Sequence, residues 1–257
     1  MKRVASILAG ALALAVAGSG VASAASLKMG ISAEPYPPFT YKGSGGEWTG
    51  FEVELGNAIC DEMGRECTIA PVAWDGIIPA LNSGKIDFIM NSMSITEKRD
   101  KVIDFSQPYY YTYGAYVGPE SADVEIPEDL DGMVLGVQNA TTHASYARDA
   151  LSDTGVELKI YNKQEQANRD LLAGRLDLVL ADEIAMAEFL DRDSAADLEM
   201  KAKTPKHPAF GDGIGIGVRE EDKKLREQIN AAIDAVLAGG TCTELSKEYF
   251  GTDICGT

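Results

Sequence analysis

Histidine is scarce in this chain. His143 and His207 are the two among 257 residues. The four cysteines, Cys60, Cys67, Cys242 and Cys255, include no CxxC pair. A metal centre built on clustered His and Cys is therefore not expected, and no cofactor is called for. Basic residues are also few, 23 Lys and Arg against 40 Asp and Glu, for a formal net charge of −17. A surface of that sign repels nucleic acid and anionic membrane, so neither is an expected partner. Apolar stretches of the roughly 20 residues that span a bilayer are missing, and so is any low-complexity linker.

The amino terminus carries an export pattern instead. Lys2 and Arg3 precede a short apolar core over residues 7–17, and Ala22-Ser23-Ala24 forms an A-x-A cleavage site. Residues 1–24 are expected to be a signal peptide, leaving a released, soluble chain that starts near Ala25. No Cys stands at the expected cut, which argues against a lipid anchor. Loss of Lys2 and Arg3 changes the charge from 23 − 40 = −17 to 21 − 40 = −19. Four cysteines in an exported chain suggest two disulfides. Three pairings are possible. The local one is favoured, because Cys60 and Cys67 flank a helix end and the next strand, and Cys242 and Cys255 share the carboxyl-terminal segment.

One phrase occurs twice. Gly84-Lys85-Ile86-Asp87-Phe88-Ile89-Met90 returns as Gly174-Arg175-Leu176-Asp177-Leu178-Val179-Leu180, 174 − 84 = 90 residues later. Each copy reads as a helix end, a left-handed Gly turn, a base and a buried apolar strand. Eight residues past each Gly stands a polar residue, Ser92 or Asp182. Ligands of open α/β sheets bind at that strand edge, so two such lobes facing one another would enclose a cleft. Around the repeat, strands are expected over 27–31, 68–72, 133–137 and 156–161. Helices are expected over 51–63, 164–173, 220–237 and 243–249. The Tyr-rich segment 107–117 reads as an extended crossing to a second lobe, and 211–218 as a bending return strand. The predicted class is α/β, with two lobes, each a mainly parallel sheet flanked by helices. The expected division is 25–113 with 217–257 as lobe 1 and 114–216 as lobe 2.

Two stretches carry a family resemblance. Gly50-Phe51-Glu52-Val53-Glu54-Leu55, continuing through Gly56-Asn57-Ala58-Ile59-Cys60 to Met63, is one; Ser92-Met93-Ser94-Ile95-Thr96-Glu97-Lys98-Arg99 is the other. Together they resemble the solute-binding proteins of ABC importers for polar amino acids, nearest the lysine/arginine/ornithine, histidine and opine branch. The likeness runs from Leu27 to Phe250 and implies two lobes joined by two extended crossings that close over a ligand. It implies Arg99 for the ligand α-carboxylate, which its planar fork matches, with Ser92, Ser94 and Thr142 assisting. Thr142 sits at a helix amino terminus, where the dipole favours an anion. The resemblance also implies Asp182 for the α-ammonium, and Tyr36 and Trp74 as aromatic walls for the side chain. Glu34 falls near an acidic position that receives a cationic tail, although the gap-free match places Ala33 there. Asn91 replaces a common Ser and is expected to bear on selectivity; His143 is expected at the rim.

The function so implied is capture of a free polar, basic amino acid or opine-like derivative and its delivery to ABC permease membrane subunits. Lysine, arginine, ornithine, histidine, glutamine and opines remain open as ligands, and a monomer is expected. The rival is an enzyme on the same scaffold, such as a cyclohexadienyl dehydratase. Glu34 and His143 are the extra acid–base candidates, and they form no recognisable pair, so no catalytic residue is assigned.

Overall fold

A computed structural model describes residues 26–256. The expected signal peptide lies outside the described residues. In chain order the strands and helices begin with β1 (Leu27–Ser32), β2 (Tyr41–Lys42), β3 (Trp48–Thr49), α1 (Phe51–Glu62) and β4 (Cys67–Val72). Next come α2 (Ile77–Asn82), β5 (Phe88–Ile89), α3 (Glu97–Asp100), β6 (Asp104–Phe105) and β7 (Gly114–Pro119). The middle of the chain forms β8 (Val134–Gln138), α4 (Thr142–Ala150), β9 (Glu157–Tyr161), α5 (Gln164–Leu172) and β10 (Leu178–Asp182). The remainder is α6 (Glu183–Leu190), β11 (Leu198–Lys203), β12 (Gly217–Val218), α7 (Lys223–Ala238) and α8 (Thr241–Phe250).

Two five-stranded sheets result, in the orders β4-β1-β5-β12-β6 and β9-β8-β10-β7-β11. They match slot by slot. In each, three parallel strands lie side by side, and two antiparallel strands extend them. The expected mainly parallel character thus holds for half of each sheet. The antiparallel halves arise because β7 and β12, which follow the two crossings, enter the sheet opposite to the direction of β10 and β5. The crossings lie beside each other: Tyr109 N–H donates to Ile214 O at 3.0 Å and Ile214 N–H to Tyr110 O at 3.0 Å. Segment 211–216, expected as strand, is mostly crossing, and β12 is confined to two residues.

The repeated phrase performs the same task twice. Gly84 and Gly174 take φ of 70° and 64°, a region costly for residues with a Cβ. The following N–H groups close back on the helix, Lys85 to Ala80 O at 3.0 Å and Arg175 to Asp170 O at 2.9 Å. Asp87 and Asp177 then clamp the start of the adjacent strand, accepting from Lys28 N–H at 2.8 Å and Val134 N–H at 2.7 Å. Between them Ile86 and Leu176 send their Cδ1 methyls over Gly30 and Gly136, into space that a Cβ on either glycine would take. The phrase therefore sets register, strand spacing and packing for β5 and β10, which hold equivalent central slots.

Both sheets are covered on two faces, as continuous apolar strands require. Leu27, Met29 and Ile31 pack with α1, α7 and α8 on one side of the first sheet, while Ile77, Leu81 and Ile89 form the core on the other. The second sheet has its own pair of cores, around Leu135 and Leu180 and around Val179 and Phe189. Disulfides join Cys60 to Cys67 and Cys242 to Cys255, the favoured local pairing. Closing loops of these lengths contributes about 2–3 kcal/mol each in the chain-entropy description. No helix among the described residues is long and apolar enough to cross a membrane.

Candidate functional site

A cavity of about 810 Å³ lies where the carboxyl edges of the two sheets face each other. All ten residues singled out from the sequence line it: Glu34, Tyr36, Trp74, Asn91, Ser92, Ser94, Arg99, Thr142, His143 and Asp182. The first seven follow strands of the first sheet; Thr142 and His143 follow a strand of the second, and Asp182 ends one.

Arg99 is placed by a short helix, α3, capped by Thr96, whose hydroxyl accepts from Arg99 N–H at 3.3 Å. Its Nη1 donates to Ser94 O at 2.9 Å, and its Nη2 reaches across the cleft to Ala140 O at 3.3 Å. The guanidinium carbon stands 5.5 Å from the Trp74 ring centroid, within cation–π range. Burial pulls the guanidinium down to about 10, so it stays charged at neutral pH. The backbone around it is unusual at two points. Among the described residues, Ser92 and Ala140 are the non-glycine residues with positive φ, 48° and 58°. Such conformations gather at ligand sites, held by surrounding structure.

Glu52 holds the first of these, a role that sequence reasoning missed although the residue sits in the family motif. It is fully buried on α1. Its carboxylate accepts from Ser92 N–H at 2.8 Å, Ser92 Oγ at 3.0 Å, the Tyr109 hydroxyl at close range and the Tyr110 hydroxyl at 3.4 Å. One acid thus ties α1, the Ser92 loop and the first crossing together. Burial raises its pKa, and the Tyr109 and Ser92 hydrogen bonds oppose the rise. The signal was an acid flanked by Phe51 and Val53 at the second residue of the helix. Glu52→Ala is expected to destabilise the fold by about 3 kcal/mol or more, because several buried donors lose their acceptor. Urea denaturation checks this.

Asp182 ends β10 and caps α6, accepting from Ile184 N–H at 2.9 Å and Ala185 N–H at 3.2 Å through the same oxygen, Oδ1. Neither helix N–H uses the other oxygen, Oδ2. Burial pushes the carboxyl up to about 6, and the Thr112 hydroxyl and the two helix N–H groups hold it from rising further. Tyr36, from the opposite lobe, is near enough that the Asp182 charge adds to burial in raising its phenol. Thr141, rather than Thr142, caps α4, accepting from Ala144 N–H at 3.1 Å. Thr142 is the first helical residue, and its place on the cavity wall follows. Asn91 Oδ1 accepts from Ser32 N–H at 2.7 Å, which orients its amide NH2 away from that contact. His143 packs against Phe210, ring centroids 5.7 Å apart, and burial with the Arg99 charge lowers it to about 4. It is neutral at pH 7.

Glu34 is held on two sides. Its Oε2 accepts from Ser32 Oγ at 2.9 Å and Trp74 N–H at 3.4 Å. Its Oε1 pairs with Lys163 Nζ at 3.6 Å, again across the cleft. Sequence reasoning did not single out Gln138, Gln164, Thr204 or the aromatic Phe210 on the cavity wall. Gln138 ends β8 as Asp182 ends β10, so the strand-edge rule could have found it. Among the described residues no cluster of His, Cys, Asp or Glu is arranged to hold a metal ion.

Two matched α/β lobes with a polar, charge-lined cleft between their strand edges define a two-lobe binding protein of the periplasmic type. The chain belongs to the bacterial extracellular solute-binding proteins, family 3, whose profile matches residues 27–252. It is 41% identical to an L-arginine-binding protein of Pseudomonas aeruginosa over 100% of both chains. It is 36% identical to a histidine-binding periplasmic protein of Escherichia coli K12, covering 88% of each. Among solved structures, an ancestral arginine-binding protein bound to arginine superimposes with a TM-score of 0.82 at 33% identity. That match covers 89% of this chain and 100% of the other.

Proposed function

We propose that this protein captures a free basic amino acid, or an opine-like derivative, in the periplasm and passes it to the membrane subunits of an ABC permease. Arg99 receives the α-carboxylate with Ser92, Ser94 and Thr142 beside it. Asp182 receives the α-ammonium through its Oδ2. Tyr36 and Trp74 cover the aliphatic stem, and Glu34 meets the cationic tail. Asn91 and His143 shape the wall. The observation that carries this reading is the placement of a guanidinium and a buried carboxylate on opposite sides of one cavity. A zwitterion bridging them stabilises the closed arrangement over the open one. The closing bodies are 25–113 with 217–257, and 114–216, in a monomer released from its leader. The names of the relatives support a basic ligand.

No catalytic step is assigned. His143 is neutral and packed against Phe210, and Glu34 is engaged by Ser32 and Lys163, so the two are not arranged as an acid–base pair.

Thermal denaturation with candidate ligands tests the reading. A ligand at 100 times its Kd adds about 2.7 kcal/mol, a rise of roughly 5–10 °C in Tm for a chain of this size. Arginine, lysine, ornithine or histidine is expected to give such a shift. No shift with any of these, glutamine or octopine would overturn the reading.

A further inference from the structure

We propose that Lys163 is a specificity-determining residue of the cleft, holding back part of the Glu34 carboxylate and so narrowing the advantage of a cationic ligand tail over a neutral one. This rests on the receptor reading above and adds a residue that neither the motifs nor the sequence pattern point to. Lys163 stands just ahead of α5 in the second lobe, while Glu34 follows β1 in the first. Their contact, Nζ to Oε1 at 3.6 Å, therefore spans the cleft.

The two oxygens of Glu34 have separate neighbours. Oε2 is taken up within its own lobe by Ser32 and Trp74. Oε1 faces the ammonium of the other lobe. A guanidinium or ammonium tail that reaches Glu34 meets a carboxylate already shared with a cation, and it is repelled by that cation. A ureido or amide tail meets the same pair differently: its N–H donates to Glu34 and its C=O accepts from Lys163. The pair thus presents a donor and an acceptor together, where Glu34 alone would present one negative charge. Lys163 is half exposed, 51% at its side chain, against 17% for Glu34. Its replacement therefore removes charge without opening a core, and its share of the interaction is of the size found for exposed pairs.

The test is calorimetry with arginine and citrulline, which match in length and differ in a guanidinium against a neutral ureido group. The proteins are wild type, Lys163→Gln, Glu34→Gln and the double variant, a cycle that isolates the coupling of the two side chains. In Lys163→Gln the ratio Kd(citrulline)/Kd(arginine) is expected to rise about twofold to fivefold. The same replacement made in Glu34→Gln is expected to raise the ratio by a smaller factor, because only the direct effect of the Lys163 charge on the tail then remains. An unchanged or lower ratio in Lys163→Gln overturns the proposal. So does a uniform loss for both ligands, which would make Lys163 a closing contact only. A rise that is just as large without the Glu34 charge also overturns it. Wild-type protein that binds neither ligand refutes this role, and the receptor reading falls with it only where lysine, ornithine, histidine, glutamine and octopine also fail to bind; binding with an insensitive ratio refutes this role alone.

Discussion

Arg99→Ala is expected to weaken amino-acid binding by about 3–5 kcal/mol, roughly 150- to 5,000-fold in Kd, with the fold retained. The size follows from what the ligand loses. An α-carboxylate drawn into the cleft gives up water and must find a charged partner. Arg99 is a fixed fork there, braced by Ser94 O and Ala140 O and set against the Trp74 face. With Ala in its place a bound carboxylate would lie buried without a cation. The fold is spared because α3 is a four-residue surface helix whose cap, Thr96, is untouched. Titration calorimetry measures the loss, and Lys98→Ala, exposed on the same helix, is the control expected to bind as wild type. Near-native affinity in Arg99→Ala would move the carboxylate site elsewhere.

Asp182→Asn is expected to cost a comparable amount, about 3 kcal/mol or more, and to change the pH dependence as well. Asn caps a helix about as well as Asp, so α6 should hold. The folded pKa of Asp182 is about 6, raised by burial from an ordinary value of 3.8. The folded state therefore binds this proton more tightly than the unfolded chain. Stability from this group is greatest below pH 3.8 and is lost as pH rises from there through about 6. Ligand affinity runs the other way. The ammonium needs the ionised carboxylate, so Kd is expected to rise as pH falls below about 6, approaching tenfold per unit. In Asp182→Asn that slope should disappear. A wild-type affinity that stays flat between pH 7 and 5 would mean that the ammonium is held by another group.

Much of this site was legible in the chain before any coordinates. The Gly-base-apolar-Asp phrase marked two equivalent strands, and the reason is now physical. Asp87 and Asp177 each clamp a neighbouring strand's N–H, and Ile86 and Leu176 each fill the space above a glycine. Such local chemistry leaves a local signature. The polar residues eight positions on were less alike than their spacing suggested. Asp182 is the last residue of β10, whereas Ser92 lies beyond β5 in a left-handed turn held by Glu52. The edge strand β11 passed unnoticed despite its alternation of apolar and polar residues, because an isolated six-residue pattern has no local turn to anchor it.

Residue order alone decided the elements that rest on neighbours in the chain: helix ends at glycine, the Thr96 cap, the apolar strands and the short disulfide loops. It also decided the chemical inventory of the cleft, a guanidinium, two carboxylates and two aromatic rings. Only the assembled molecule decided which groups meet from far apart. Glu52 beneath Ser92, Arg99 against Ala140 and Lys163 against Glu34 are contacts separated by dozens of residues or more. Such contacts follow from the order of strands in two sheets and the angle at which the lobes face. Neither is written in any short window, since it emerges only when separate cores have packed.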